Sequence, residues 1–196
     1  MAKELLAPTQ PYIPSSFNAE TRIFESRRPQ HVGWVPNRIA FSKGLTSRSR
    51  DSLILKLKSP SGKLVFPGNV PMQFKPVLRI IADHYVSHVK NRISTLVYFN
   101  YDRSCDQDLA PDPHTDGTPE SQFDLYSVSS INPTMFYIQT ARSRSSGERD
   151  DFANLNEGSI WRPQPYEIVR FHNFTIHKSA PAVPKRRTFM RVAFGV

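Results

Sequence analysis

The sequence predicts a mainly-β domain, an antiparallel sandwich or jelly roll with a flanking helix and an irregular N-terminal arm. Roughly eight short segments rich in Val, Ile, Phe, Tyr and Thr follow one another at close spacing, separated by Gly, Pro, Asn and Asp. One stretch alone carries a sustained helical period, whereas a doubly wound sheet would need helices alternating with its strands. A length of 196 residues allows one ordinary core and leaves no room for two.

Residues 1–50 hold several prolines, the pair Arg27-Arg28 and the basic Ser-rich stretch around Ser47 and Arg48. They show no period of 2 or 3.6, and read as an arm or irregular cover on a single-core domain over residues 51–196. Leu53 to Lys58, the turn signal at 59–62 and Lys63 to Phe66 read as a β-hairpin, since an apolar run meets Ser, Pro and Gly and then resumes. Over residues 76–92, Leu78, Ile81, Tyr85 and Val89 recur at helical steps behind a proline suited to a first turn, which predicts the helix. Strands are expected over 94–102, 122–131, 134–140, 158–162, 166–171 and 187–194. Residues 141–151, ARSRSSGERDD, are too polar for a core and are expected as an exposed loop or lid.

With 26 Lys and Arg against 17 Asp and Glu, the formal charge is +9, so the surface should attract an anionic partner. Cys105 is the single cysteine, which excludes an internal disulfide and a thiolate-rich metal site and suits a reducing cytoplasm. The first residues lack the apolar core of a signal peptide, and no run approaches the ~20 apolar residues that cross a bilayer. A soluble cytoplasmic protein without a membrane partner is the expectation. Phosphate-loop, dinucleotide-binding and serine-hydrolase motifs are missing from the sequence, which leaves His, Asp and Arg to carry any chemistry.

Of the six histidines, His84 and His88 share a helix face, but no Glu follows the first as a zincin would require, and a solvated helix face is the simpler reading. His31 is uninformative. His114 and Asp116 lie two apart on extended backbone, so both side chains point the same way and can grip one cation. Six histidines and 17 acids in 196 residues yield roughly half such a pair by chance, so the pair needs a third ligand. His177 supplies it, re-emerging after an Asn-containing turn; His172 is the rival and is read as holding that turn. Two imidazoles and one carboxylate would occupy one face of an octahedron and leave three positions open.

The set of His-x-Asp, then His177, then Arg187 and Arg191 on a final strand resembles the Fe(II)/2-oxoglutarate-dependent dioxygenase superfamily, whose fold is the double-stranded β-helix, a jelly-roll barrel. The resemblance covers about residues 94–196 and identifies no subfamily. It implies that His114, Asp116 and His177 bind Fe(II) and that Arg187 or Arg191 binds the distal carboxylate of 2-oxoglutarate. It also implies that O2 is consumed in hydroxylating a substrate. Arg187, Phe189 and Arg191 share one face of a period-2 strand, so either guanidinium could fork onto that carboxylate. The basic balance favours an anionic substrate such as a nucleic acid, a nucleotide or a phosphorylated small molecule, with a protein side chain as the alternative. Two alternatives keep parts of the pattern. One is a basic jelly-roll coat or nucleic-acid-binding protein without catalysis; the other is a metal-binding cupin-like enzyme that does not use 2-oxoglutarate.

Overall fold

A computed structural model of the chain describes residues 11–43, 50–58, 63–66, 68–88, 96–104, 112–116, 122–144, 151–181 and 187–194. The first half contributes β1 (Ser16–Asn18), β2 (Ile23–Glu25), β3 (Gln30–Trp34), a short helix α1 (Arg38–Ser42), β4 (Arg50–Lys58), β5 (Lys63–Val65) and the helix α2 (Lys75–His88). Among its described residues the second half adds strands and one 3-10 turn (Glu157–Ser159): β6 (Leu96–Ser104), β7 (Asp124–Ser129), β8 (Met135–Tyr137), β9 (Thr140–Ser143), β10 (Phe152–Ala153), β11 (Ile160–Trp161), β12 (Glu167–His172), β13 (His177–Lys178) and β14 (Arg187–Phe194). The fold is mainly β, with antiparallel sheets and two helices.

The strands build three sheets, ordered β3-β12-β7-β14-β6-β4-β5, β11-β8-β13 and β1-β2-β9-β10. The long β14 is central to the largest, pairing along its length with β6 and with β7. Alternation along it explains the layers. Met190, Val192 and Phe194 join the core under α2, where Leu78, Ile81 and Tyr85 cover Leu55, Val97 and Phe99. Tyr85 stacks on Phe194 with ring centroids 3.7 Å apart. Ala193, on the opposite face, packs into a second core of Leu125, Phe136, Val169 and Phe171 between the seven-stranded and three-stranded sheets. A third, of Phe24, Tyr137, Phe174 and Ile176, lies where the three-stranded sheet meets the four-stranded one. Each of these large apolar side chains, fully buried, contributes ~1.5–3 kcal/mol of transfer free energy.

The expected hairpin is present, with Lys58 opposite Lys63, and its turn lies outside the described residues. The expected helix runs from Lys75 and is described to His88; its Val89 lies beyond the described residues. Cys105 also lies outside them. Two expectations need correction. Residues 16–34 are not an irregular arm: β3 extends the seven-stranded sheet by pairing with β12, and β1 and β2 pair with each other and with β9. Strands of three to five residues are too short to display a period of two, and backbone pairing rather than an apolar stripe holds them. Nor is the polar stretch from Ala141 wholly loop, because Ala141 and Ser143 are buried in β9, while residues 145–150 lie outside the described set. Among the described residues no helix is long and apolar enough to cross a membrane.

His84, on α2, places its Nδ1 3.1 Å from the hydroxyl of the buried Tyr126. Burial, then the proximity of His88 and Arg170, lowers its pKa from 6.5 to about 4. The folded chain therefore binds fewer protons than the unfolded chain between those values, and stability drains away as pH falls through that window. Denaturant midpoints measured from pH 7 to pH 4 should fall less steeply in His84→Gln than in the parent; parallel curves would contradict this account.

Candidate metal centre

The chain brings His114 beside His177 through a two-way backbone bridge. The amide of His114 donates to the carbonyl of His177, and that of His177 to the carbonyl of His114, each at 2.9 Å. His177 is also opposite Phe136, and Phe136 is opposite Trp161. Directly paired residues share a face of a sheet, so His114, His177, Phe136 and Trp161 form one row. Ring centroids along the row are 4.4, 5.9 and 6.0 Å apart. Phe171 closes on His177 at 5.3 Å from the facing sheet, so the row points into the space between the sheets.

The turn ahead of His177 is fixed by groups that the alternating pattern does not reveal. Asn173 is fully buried. Its amide donates to the Phe123 carbonyl (3.1 Å), its side-chain oxygen accepts from the Phe123 amide (3.2 Å), and its carbonyl accepts from the Asp116 amide (3.0 Å). The side chain thereby fixes the turn to Phe123, and the main-chain carbonyl ties that turn to Asp116. The Thr175 amide donates to the His172 carbonyl, and the Thr175 hydroxyl meets that of Ser15 at 2.8 Å. Ser26 Oγ accepts from the Ile176 amide at 2.9 Å. The N-terminal segment thus buttresses the site, a role for which Ser15 and Ser26 carry no sequence signal. His172 is the last residue of β12, where its carbonyl takes the Thr175 bond that closes the turn.

Tautomers follow from the partners. His114 Nδ1 lies 2.9 Å from the Asp112 carbonyl and His177 Nδ1 2.8 Å from the Thr175 carbonyl. A carbonyl only accepts, so each Nδ1 carries its hydrogen and each neutral ring presents a lone pair at Nε2. His177 Nε2 faces Asp116 Oδ2 at 3.2 Å, and that oxygen is buried without a hydrogen-bond partner. Two lone pairs so close repel unless a proton or a cation lies between them. Burial alone would raise the Asp116 pKa, but His177, Arg191 and His114 outweigh it and hold the carboxyl well below the usual range, as an anion. Burial and the neighbouring His177 also lower the pKa of His114, which favours the neutral ligand form.

The donor atoms of His114, Asp116 and His177 all lie within 4.8 Å of one another, the one such cluster of three or more His, Cys, Asp or Glu among the described residues. Adjacent ligands of a first-row metal sit about 3 Å apart, close to the His177–Asp116 spacing. The residues present therefore fit a divalent cation. His84 and His88 form no such site: their rings stack at 4.0 Å, and His88 Nδ1 donates to the His84 carbonyl at 2.8 Å.

The two arginines separate. Arg191 donates to Asp116 Oδ1 at 2.7 Å, leaving Oδ2 for His177. It lies in register with Asn100 on β6 and Ser127 on β7, two polar neighbours that sequence reasoning missed. Arg187 is buried farther along β14, away from the triad, and reaches toward the Asn132 carbonyl at 3.4 Å. No family model and no curated protein matches this chain.

Asn173→Ala removes a turn anchor without touching a ligand. Losses of about 10- to 100-fold in metal affinity are typical of such supporting groups. Calorimetric titration with Co(II) should show that drop while the circular-dichroism spectrum stays unchanged; parental affinity would refute the role given to Asn173.

Proposed function

We propose that the chain is an Fe(II)- and 2-oxoglutarate-dependent oxygenase with a double-stranded β-helix fold. The observation that carries the reading is the orphaned Asp116 Oδ2 facing His177 Nε2, with both imidazoles oriented through their Nδ1 hydrogens. The topology supports the fold. Successive segments β6, His114, β7 and β8, then β11, β12, β13 and β14, give two interleaved four-membered sheets, β12-β7-β14-β6 and β11-β8-β13-His114.

His114, Asp116 and His177 would hold the metal on one face and leave the remaining positions open. Fe(II) bound there supplies the coupling of 2-oxoglutarate and O2 to substrate oxidation, giving succinate, CO2 and a hydroxylated product. Arg191, committed to Asp116, sets the orientation of the carboxylate and keeps it ionised. Arg187 then takes the distal carboxylate of 2-oxoglutarate, since it stands on the same strand away from the ligands and a guanidinium binds a carboxylate in two-pronged fashion. Phe136 and Phe171 pack beside His177 and keep water from that flank. A basic surface favours an anionic substrate.

Anaerobic addition of Fe(II) and then 2-oxoglutarate should produce the weak visible charge-transfer band of a chelated keto acid. The band should vanish in His177→Ala and need at least about tenfold more 2-oxoglutarate in Arg187→Ala, which loses a charge-assisted contact. Metal binding with no band in the parent would contradict the use of 2-oxoglutarate.

A further inference from the structure

β3 is the last strand of the seven-stranded sheet, and β11 is the last of the three-stranded one. A cleft of about 440 Å³ is lined by residues of both, including Arg27, Arg28, His31, Trp161 and Tyr12. Arg28 lies over the Trp161 ring at 4.8 Å. Beyond the other end of β3, Arg38 lies over Trp34 at 5.7 Å and over Tyr166 at 5.4 Å. Trp34 is 44% exposed, and the three arginines are exposed as well. One edge thus carries two places where a flat ring and a cation occur together.

The acids nearby are already paired. Glu167 accepts from the Gln164 amide at 2.7 Å and meets His31 at 2.9 Å, while Glu25 pairs with Arg27 at 2.7 Å. A second observation is independent of charge. Tyr12 Oη and Gln30 Oε1 are buried without hydrogen-bond partners, and both residues line the cleft. Burial, then the Asp124 carboxylate, raises the Tyr12 pKa and keeps its hydroxyl a donor, on the side of the adjoining cleft that Tyr12 and Gln30 share with Asp124 and Arg170. Aromatic rings flanked by arginines match the faces of nucleobases and the phosphates that join them. An acidic protein would use the arginines but not the flat ring faces, and a duplex keeps its bases stacked inside.

We propose that this edge binds single-stranded nucleic acid, with bases stacking at the Arg28–Trp161 and Arg38–Trp34 pairs. Trp161 touches Phe136 at 6.0 Å, and Phe136 touches His177 at 5.9 Å, so the cleft abuts the row that carries the metal ligands. As a statement of the centre's substrate the proposal rests on the oxygenase reading. As a binding surface it does not, and it is tested without metal.

The experiment is fluorescence anisotropy of a labelled thymidine oligonucleotide of about 12 nucleotides, titrated with the metal-free full chain over a range of KCl. The single strand should bind more tightly than a duplex or a polyglutamate of equal length. Trp34→Ala should weaken binding about tenfold with the salt slope unchanged, and Trp34→Phe should restore most of it. The double variant Arg28→Ala/Arg38→Ala should lower the slope by roughly 1.4, about 0.7 for each lost phosphate contact. All three positions are partly or wholly exposed, and thermal melts check that the variants fold. Absence of binding at roughly 50 mM KCl, equal binding of polyglutamate, or indifference to Trp34→Ala would each overturn the proposal. None of these results touches the metal reading, which fails separately if no charge-transfer band forms.

Discussion

The site depends on the backbone bridge between His114 and His177, because it is the step that brings a segment following β6 against a turn more than 60 residues downstream. Neither histidine sits in a long strand. Two hydrogen bonds at 2.9 Å fix their Cα positions, and two further bonds from Nδ1 to carbonyls fix their rings. Asn173 carries the constraint to Asp116. Three donor atoms thereby converge by main-chain geometry, with side-chain freedom already removed before any cation arrives, which is the condition for tight and selective coordination.

Such convergence is costly in a chain without a cation. Asp116 is an anion in a largely buried place, and Arg191 offsets one oxygen while the other faces a histidine. Removing Arg191 would leave the charge with less compensation, and a buried carboxylate without a partner is strongly destabilising. The arginine therefore serves the centre from behind, while Arg187 keeps its distance on the same strand. Alternation on β14 sets which face each side chain takes: Met190, Val192 and Phe194 belong to the core under α2, and Arg191 and Ala193 are left to face the other sheet.

Much of this was legible in the sequence. The helix period at Leu78, Ile81 and Tyr85 and the hairpin around Ser59–Gly62 follow from local chemistry, as does β14, where Thr188, Phe189, Val192 and Phe194 favour a strand. The triad was legible as residue types at suggestive spacing, which local chemistry alone leaves near chance. What escaped was everything made by tertiary pairing of short segments. β1 to β3 have too few residues to show a period, β9 is carried by a polar stretch, and Ser15 and Ser26 act through single hydrogen bonds to the turn. Arg187 and Arg191 were indistinguishable by spacing, since both fall on one strand face, and only the position of Asp116 separates them.

The claim at the centre of this account is that His114, Asp116 and His177 coordinate one divalent metal. Equilibrium dialysis of the full chain against Fe(II) under argon, followed by X-ray absorption at the iron edge, tests it most directly. The account predicts a single bound equivalent with two imidazoles in its coordination shell, lost in Asp116→Ala. Failure to retain iron, or a bound ion whose environment is unaltered by that substitution, would contradict it.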